Sequence, residues 1–294
     1  MWRRAARIPG TSRIATWQHG RVTDQAKRFD AFASGYVNYW APVLAPAVRT
    51  LLDELEPLGL EPERILDVGT GTGQLALAAL ERWPRATVLG IDVSSGMTAV
   101  AEAEATRVLG PDGAKRFSIR LTPADELPFE DASFDLAISS FVYQLVERRA
   151  RALREARRIL RPGGILAYVS WLEDDRAFRP EQVFDDILED LDIEPRAFDG
   201  RPGDIPSVDR AAGELRRAGF ADVTAHAGTI EHRFGVDEYV EFLSEFDEES
   251  LFDELEADTR RRLESTLRDE LARLTPNEMT MRYPIVFARG RRSR

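Results

Sequence analysis

Between Ile65 and Val169 the apolar residues gather in short β-rich runs separated by longer stretches of helical character. Ile65, Leu66 and Val68 open the series, then Val88, Leu89 and Ile91; Phe117 to Leu121, Phe134 to Ile138 and Ile165 to Val169 continue it. Strands alternating with helices predict a parallel sheet covered on both faces, an α/β architecture. Upstream, Phe29, Phe32 and Tyr36 recur at helical spacing, with Tyr39 and Trp40 close behind. A second helix is predicted from Pro42, with Val43, Leu44, Ala47, Leu51, Leu52 and Leu55 facing inward, until Pro57 and Gly59 end it. Beyond Trp171 the rhythm changes. Val183, Phe184, Ile187, Leu188 and Leu191 form the apolar face of a helix that reads as an insertion, and a helix from Ala211 to Ala218 is closed by Gly219. A strand-like stretch runs from Phe220 toward Phe234, two amphipathic helices follow, one through Tyr239 and Phe246 and one through Leu255 and Leu274, and Tyr283 to Ala288 reads as a last strand.

These patterns organise the chain into a basic flexible arm (1–24) and a single domain (25–294). The domain comprises N-terminal helices (25–56), a core (63–171) and cap helices within 172–275. Arg3, Arg4, Arg7, Arg13 and Arg21 precede the first acidic residue, Asp24. Pro9, Gly10 and Arg13 interrupt the apolar stretch that a secretory signal needs, so export is not expected. A disordered tail, an overlong gene start or an organellar transit peptide all fit the arm; a cytoplasmic location is the expectation.

The chain has 294 residues, 43% of them hydrophobic, and no apolar run approaches a bilayer's thickness, so no membrane span is expected. It contains no cysteine, which removes disulfides, thiolate zinc sites, iron–sulfur clusters and cysteine nucleophiles. No metal site is expected. A net charge of −11 argues against a general affinity for nucleic acid, which gains by releasing counterions to a basic surface. Only Lys27 and Lys115 could serve as a Schiff-base lysine.

The richest segment is Asp67-Val68-Gly69-Thr70-Gly71-Thr72-Gly73-Gln74, where an apolar strand runs through three alternating glycines into a helix. Glycine suits a sharp turn that must approach a ligand with no Cβ in the way. Gln74 stands where a dinucleotide-binding loop has its last glycine, and Asp67 sits two residues before the first. A carboxylate there is a poor neighbour for pyrophosphate and a good one for a cationic ligand. Asp92 ends the next strand, where a carboxylate can accept both hydroxyls of a ribose; Asp125, after the third, is placed to read a purine edge. Each piece also has a plainer reading, as a turn, a cap for the helix from Ser94, or a surface acid.

Together these segments resemble the class I S-adenosylmethionine-dependent methyltransferases, especially the small-molecule branch that includes the quinone-biosynthesis enzymes. The resemblance rests on Asp67 to Gly73, Asp92 with Met97, Asp125 to Phe129, Phe134-Asp135 and Arg158 to Gly164. It implies a Rossmann-like sheet of seven strands in order 3-2-1-4-5-7-6, the last antiparallel. It also implies S-adenosylmethionine as cofactor, with Asp67, Gly69, Thr70, Gly71 and Gly73 at the methionyl part, Asp92 at the ribose, and Met97 with Ala124, Asp125 and Glu126 around the adenine. Tyr36 matches an aromatic that closes over the cofactor in similar enzymes, although a core aromatic at helical spacing fits as well. Ser140 would border the cofactor where the fourth strand opens.

Methyl transfer from a sulfonium is an in-line displacement with a good leaving group, so the protein mainly aligns the reactants and excludes water. Without cysteine, radical and cytosine-C5 chemistry are excluded, and Ser139-Ser140-Phe141-Val142 stands where amino-methylating relatives carry Asn/Asp-Pro-Pro-aromatic. The expected acceptor is therefore a small organic molecule, methylated on O, N or C, and not nucleic acid. Phe141, Gln144 and Phe184 are expected in its pocket; the acidic run Asp237 to Asp258 reads first as the solvated outer face of a packed helix, and alternatively its apolar side, with Phe184 and Leu188, roofs that pocket. No catalytic base is assigned. The candidates are His226, His232 and Tyr143, since Gln144 occupies a position near which many relatives carry histidine; His19, in the arm, is a further histidine. Two rivals share the loop: a nicotinamide-dependent oxidoreductase, and a silent adenosyl-ligand sensor of the same fold. Oligomeric state is left open by the sequence.

Overall fold

The computed structural model describes residues 35–194 and 203–293, with Ala26, Phe29, Asp30 and Ala33. The basic arm, Lys27, Phe32 and His19 lie outside the described residues. Elements follow in the order α1 (Ala41–Asp53), β1 (Arg64–Val68), α2 (Gln74–Arg82), β2 (Thr87–Asp92), α3 (Ser95–Ala114), β3 (Phe117–Leu121), β4 (Phe134–Ser140), α4 (Arg149–Ile159) and β5 (Leu160–Trp171). The second half adds α5 (Arg179–Asp190), α6 (Val208–Arg217), β6 (Ala221–Arg233), α7 (Val236–Phe242), α8 (Glu249–Glu254), α9 (Ala257–Leu271) and β7 (Thr280–Arg291).

The sheet has seven strands in order β3-β2-β1-β4-β5-β7-β6. β7 runs antiparallel to both of its neighbours, and the pairings from β3 through β5 are parallel. Side chains alternate between faces. Ile65, Leu136, Ile165 and Ile285 join an apolar cluster with α1, α2 and the cap helices, whereas Leu66, Ala137, Leu166 and Val286 join a second with α4 and α6. This double burial is why the central strands read as continuous apolar runs. Chain order reverses at β1, whose neighbours are β2 and β4, and a crevice opens there at the carboxyl ends of the strands.

The cap packs on itself and on the same apolar cluster as the sheet. The rings of Phe184 in α5 and Phe252 in α8 stack at 6.1 Å, Trp40 meets Phe242 at 5.8 Å, and the Tyr283 hydroxyl of β7 donates to Glu181 Oε1 of α5 at 3.0 Å. The helix expected through Tyr239 and Phe246 divides into α7 and a π-helical turn, Leu243–Asp247, and Tyr36–Trp40 forms another such turn before α1. Among the described residues no helix is long and apolar enough to cross a membrane.

Candidate functional site

Gly69, Gly71 and Gly73 take φ of +70°, +53° and +87°, in the left-handed region that costs glycine little. A Cβ on Gly69 would stand 2.2 Å from Val142 Cγ2, and one on Gly73 would stand 3.2 Å from Ala101 Cβ of α3. The first glycine thus admits the β4 corner, and the third admits close helix packing. Around Gly71 a Cβ would meet no protein atom within 4 Å. Thr70 N–H donates to the Ile91 carbonyl (2.8 Å), and its hydroxyl donates to Asp67 Oδ2 (2.8 Å). Asp67 is 1% exposed; burial, with the Asp92 charge adding and the Thr70 hydroxyl opposing, pushes its carboxyl up to about 7. Gln74, which replaces the last glycine of a dinucleotide loop, donates to the Ala41 carbonyl at 2.7 Å and ties α2 to α1.

Asp92 joins this loop to the next strand. Its Oδ2 accepts the Gly71 N–H (2.8 Å), and its Oδ1 accepts those of Val93 (2.7 Å) and Ser94 (3.0 Å). Ser94, not Asp92, caps α3, its hydroxyl accepting the Met97 N–H at 3.0 Å. Beside Asp92 lies an open cleft. The expected residues Tyr36, Gly69, Gly71, Asp92 and Met97 line it; so do Ala124, Asp125, Ser140 and Phe141.

Several lining groups are not legible in the sequence. Arg148 Nε lies 2.5 Å from Asp125 Oδ2, so the carboxylate expected to read a purine edge already has a cationic partner. Phe29 reaches the wall because Asp30 docks the N-terminal segment on α3, accepting from Ser94 Oγ (2.6 Å) and Gly96 N (2.7 Å). Those bonds, from Ser94 foremost, lower the Asp30 pKa. Tyr36 meets Phe246 edge-on at 6.4 Å, and burial raises its hydroxyl pKa, with the Asp92 charge adding.

Comparison with known proteins agrees with this geometry. A family model described as a methyltransferase domain matches residues 66–168. A malonyl-[acyl-carrier protein] O-methyltransferase of Geobacter sulfurreducens is 33% identical over 204 residues, 69% of this chain and 73% of the relative. The chain belongs to the class I S-adenosylmethionine-dependent methyltransferases. A demethylmenaquinone methyltransferase of Chlorobaculum tepidum is 36% identical over 136 residues, 46% of this chain and 49% of the relative. The crystal structure of the [4+2]-cyclase SpnF shares the fold, with TM-score 0.53 and 22% identity over 84% of this chain and 81% of that one. This methyltransferase takes its methyl group from S-adenosylmethionine.

Other expected residues of the methyltransferase stand away from the cleft. Asp67 and Thr70 bond to each other, and with Gly73 they shape the loop from outside the lining. Asp67, expected at the methionyl part of the cofactor, is buried and accepts the Thr70 hydroxyl within the loop. Glu126 is exposed, 3.7 Å from Arg151. Gln144 is 3% exposed, its amide bonded within the protein. Phe184 is buried against Phe252 and is not among the residues lining the cleft. None of the base candidates lines it either. Tyr143 is 1% exposed, has no hydrogen-bond partner for its hydroxyl, and its pKa is raised by burial. His226 of β6 has its Nε2 2.9 Å from Glu54 Oε1, just after α1, and His232 Nε2 lies 2.9 Å from Glu238 Oε1.

Proposed function

We propose that the cleft holds S-adenosylmethionine, with Gly69 and Gly71 against its methionyl part, Asp92 at the ribose hydroxyls, and Met97 and Ala124 flanking the adenine. The observation that carries this reading is the bridge from Asp92 to the N–H of Gly71, since it fixes a carboxylate and an open glycine turn on one wall. Three carboxylates, Asp92, Asp125 and Glu147, face the cleft against one guanidinium, Arg148, a balance that suits a cationic ligand. When bound, the sulfonium supplies an electrophilic methyl carbon. The chain's own part is to orient the two reactants and to exclude water with Phe29, Tyr36 and Phe141.

The favoured acceptor atom is a carboxylate oxygen on a small molecule or carrier-bound acyl group. Neither histidine nor lysine is among the described residues lining the cleft. A carboxylate is already anionic near neutrality and needs no general base, unlike a phenol or an ammonium. The O-methyltransferase relative is matched over 73% of its length, against 49% for the quinone-modifying one. Residues 25–294 would act as one domain, a reading supported by the single apolar cluster that joins Trp40, the sheet and the cap. Incubation with methyl-labelled cofactor and panels of carboxylic acids, phenols, quinols and amines tests the acceptor. Label released as methanol by mild alkali is expected from the acids; alkali-stable product would overturn the carboxylate reading and leave methyl transfer intact. Absence of S-adenosylhomocysteine binding by folded protein would remove the cofactor assignment itself.

A further inference from the structure

Phe141 adopts φ +56°, a conformation that a bulky aromatic residue keeps only where its surroundings hold it. It stands at the end of β4, where its N–H donates to the Val169 carbonyl at 2.8 Å. Immediately after it, Val142 packs into the space that a Cβ on Gly69 would occupy. Both residues line the cleft, and the Phe141 ring lies 4.6 Å from that of Trp171. This corner is therefore strained, central to the wall of the cleft, and in direct contact with the glycine loop.

A buried pair of side chains restrains it. Gln144 Nε2 donates to the Phe141 carbonyl at 2.6 Å, and Ser170 Oγ donates to Gln144 Oε1 at 2.5 Å. Gln144 is 3% exposed and Ser170 fully buried, and neither lines the cleft. The amide matches the task because it offers a donor and an acceptor at one end; glutamate lacks the donor when ionised, and leucine lacks both. The relay runs from β5, through Gln144, to the backbone of the strained residue.

We infer that Gln144 is a positioning residue: with Ser170 it holds Phe141 in its left-handed conformation, and with it the Phe141–Val142 corner, and so preforms the wall against which the cofactor packs. Gln144 thus acts on the reaction through the shape of the cleft, with no contact to acceptor or donor. The inference rests on the reading of the cleft as the S-adenosylmethionine site.

Calorimetric titration of S-adenosylhomocysteine into wild type, Gln144→Leu, Ser170→Ala and the double variant tests it, with circular dichroism recorded on each. Wild-type binding must be present first, since its absence would defeat the cofactor reading before any variant is compared. Expected losses of affinity are about tenfold for Gln144→Leu and about threefold for Ser170→Ala. The double variant should bind no more weakly than Gln144→Leu alone, because the two residues form one relay. A merely structural role would lower the thermal midpoint and leave Kd unchanged. Folded Gln144→Leu protein with Kd within about twofold of wild type would overturn the proposal, as would losses that multiply in the double variant. If Gln144→Leu does not fold, an unchanged Kd for Ser170→Ala overturns it and a threefold rise supports it.

Discussion

Before any ligand arrives, Asp92 already accepts three backbone N–H groups, from Gly71, Val93 and Ser94. Removing the carboxylate in Asp92→Ala would leave those donors unpaired and loosen the loop along with the proposed ribose contact. Affinity for S-adenosylhomocysteine, read by calorimetry, is expected to fall at least about a hundredfold. Gly69→Ala places a Cβ against Val142 in a backbone region that alanine resists, and is expected to lower stability to urea by about 2–4 kcal/mol. Both residues were legible in the sequence because a strand, three alternating glycines and a helix leave few other readings. Arg148 and Asp30 were not. Arg148 meets Asp125 across two separate loops, and Asp30 meets Ser94 and Gly96 across 64 and 66 positions, contacts that no local periodicity encodes.

Whole elements were easier to find than their targets. The apolar stripes of α5 and of the helices after β6 mark an inner face in each case, yet a stripe does not say what it will pack on. Phe184 illustrates the gap: it is buried as expected, but against Phe252, and so belongs to the interior of the cap. Phe184→Ala should lower stability by about 3–5 kcal/mol in urea denaturation. The same variant should bind S-adenosylhomocysteine within about twofold of wild type, in contrast to substitutions at the cleft. The π-helical turns at Tyr36–Trp40 and Leu243–Asp247 were hidden for a related reason. A periodicity of 3.6 residues and a single wider turn leave nearly the same pattern of apolar positions. These two turns meet through Tyr36, Tyr39 and Phe246, next to the cleft.

At the scale of the molecule, alternation of strand and helix was enough to predict a doubly covered parallel sheet, whereas the strand order came from resemblance and is the order observed. Two acids with raised pKa contribute to the response of the fold to pH. Asp67 and Asp204 are both pushed up to about 7, by burial first, with the charge of Asp92 and of Glu173 respectively adding to it. Between the usual value of 3.8 and about 7 the folded chain holds protons that the unfolded chain has released. Stability from these groups is therefore greatest at low pH and is lost as pH rises through 7. Asp30 works in the opposite sense, its lowered pKa giving stability that is lost as pH falls below the usual carboxylate range. The thermal midpoint is expected to rise as pH drops from 8 to about 6 and to fall again in stronger acid; Asp67→Asn should flatten the alkaline limb. A last consequence follows from Trp171. Its indole is 5% exposed, sits behind Phe141 and borders Trp40, so this protein carries a native fluorophore one ring removed from the wall of the cleft. Any ligand that shifts Phe141 should alter tryptophan emission, which allows occupancy to be followed optically with no label attached.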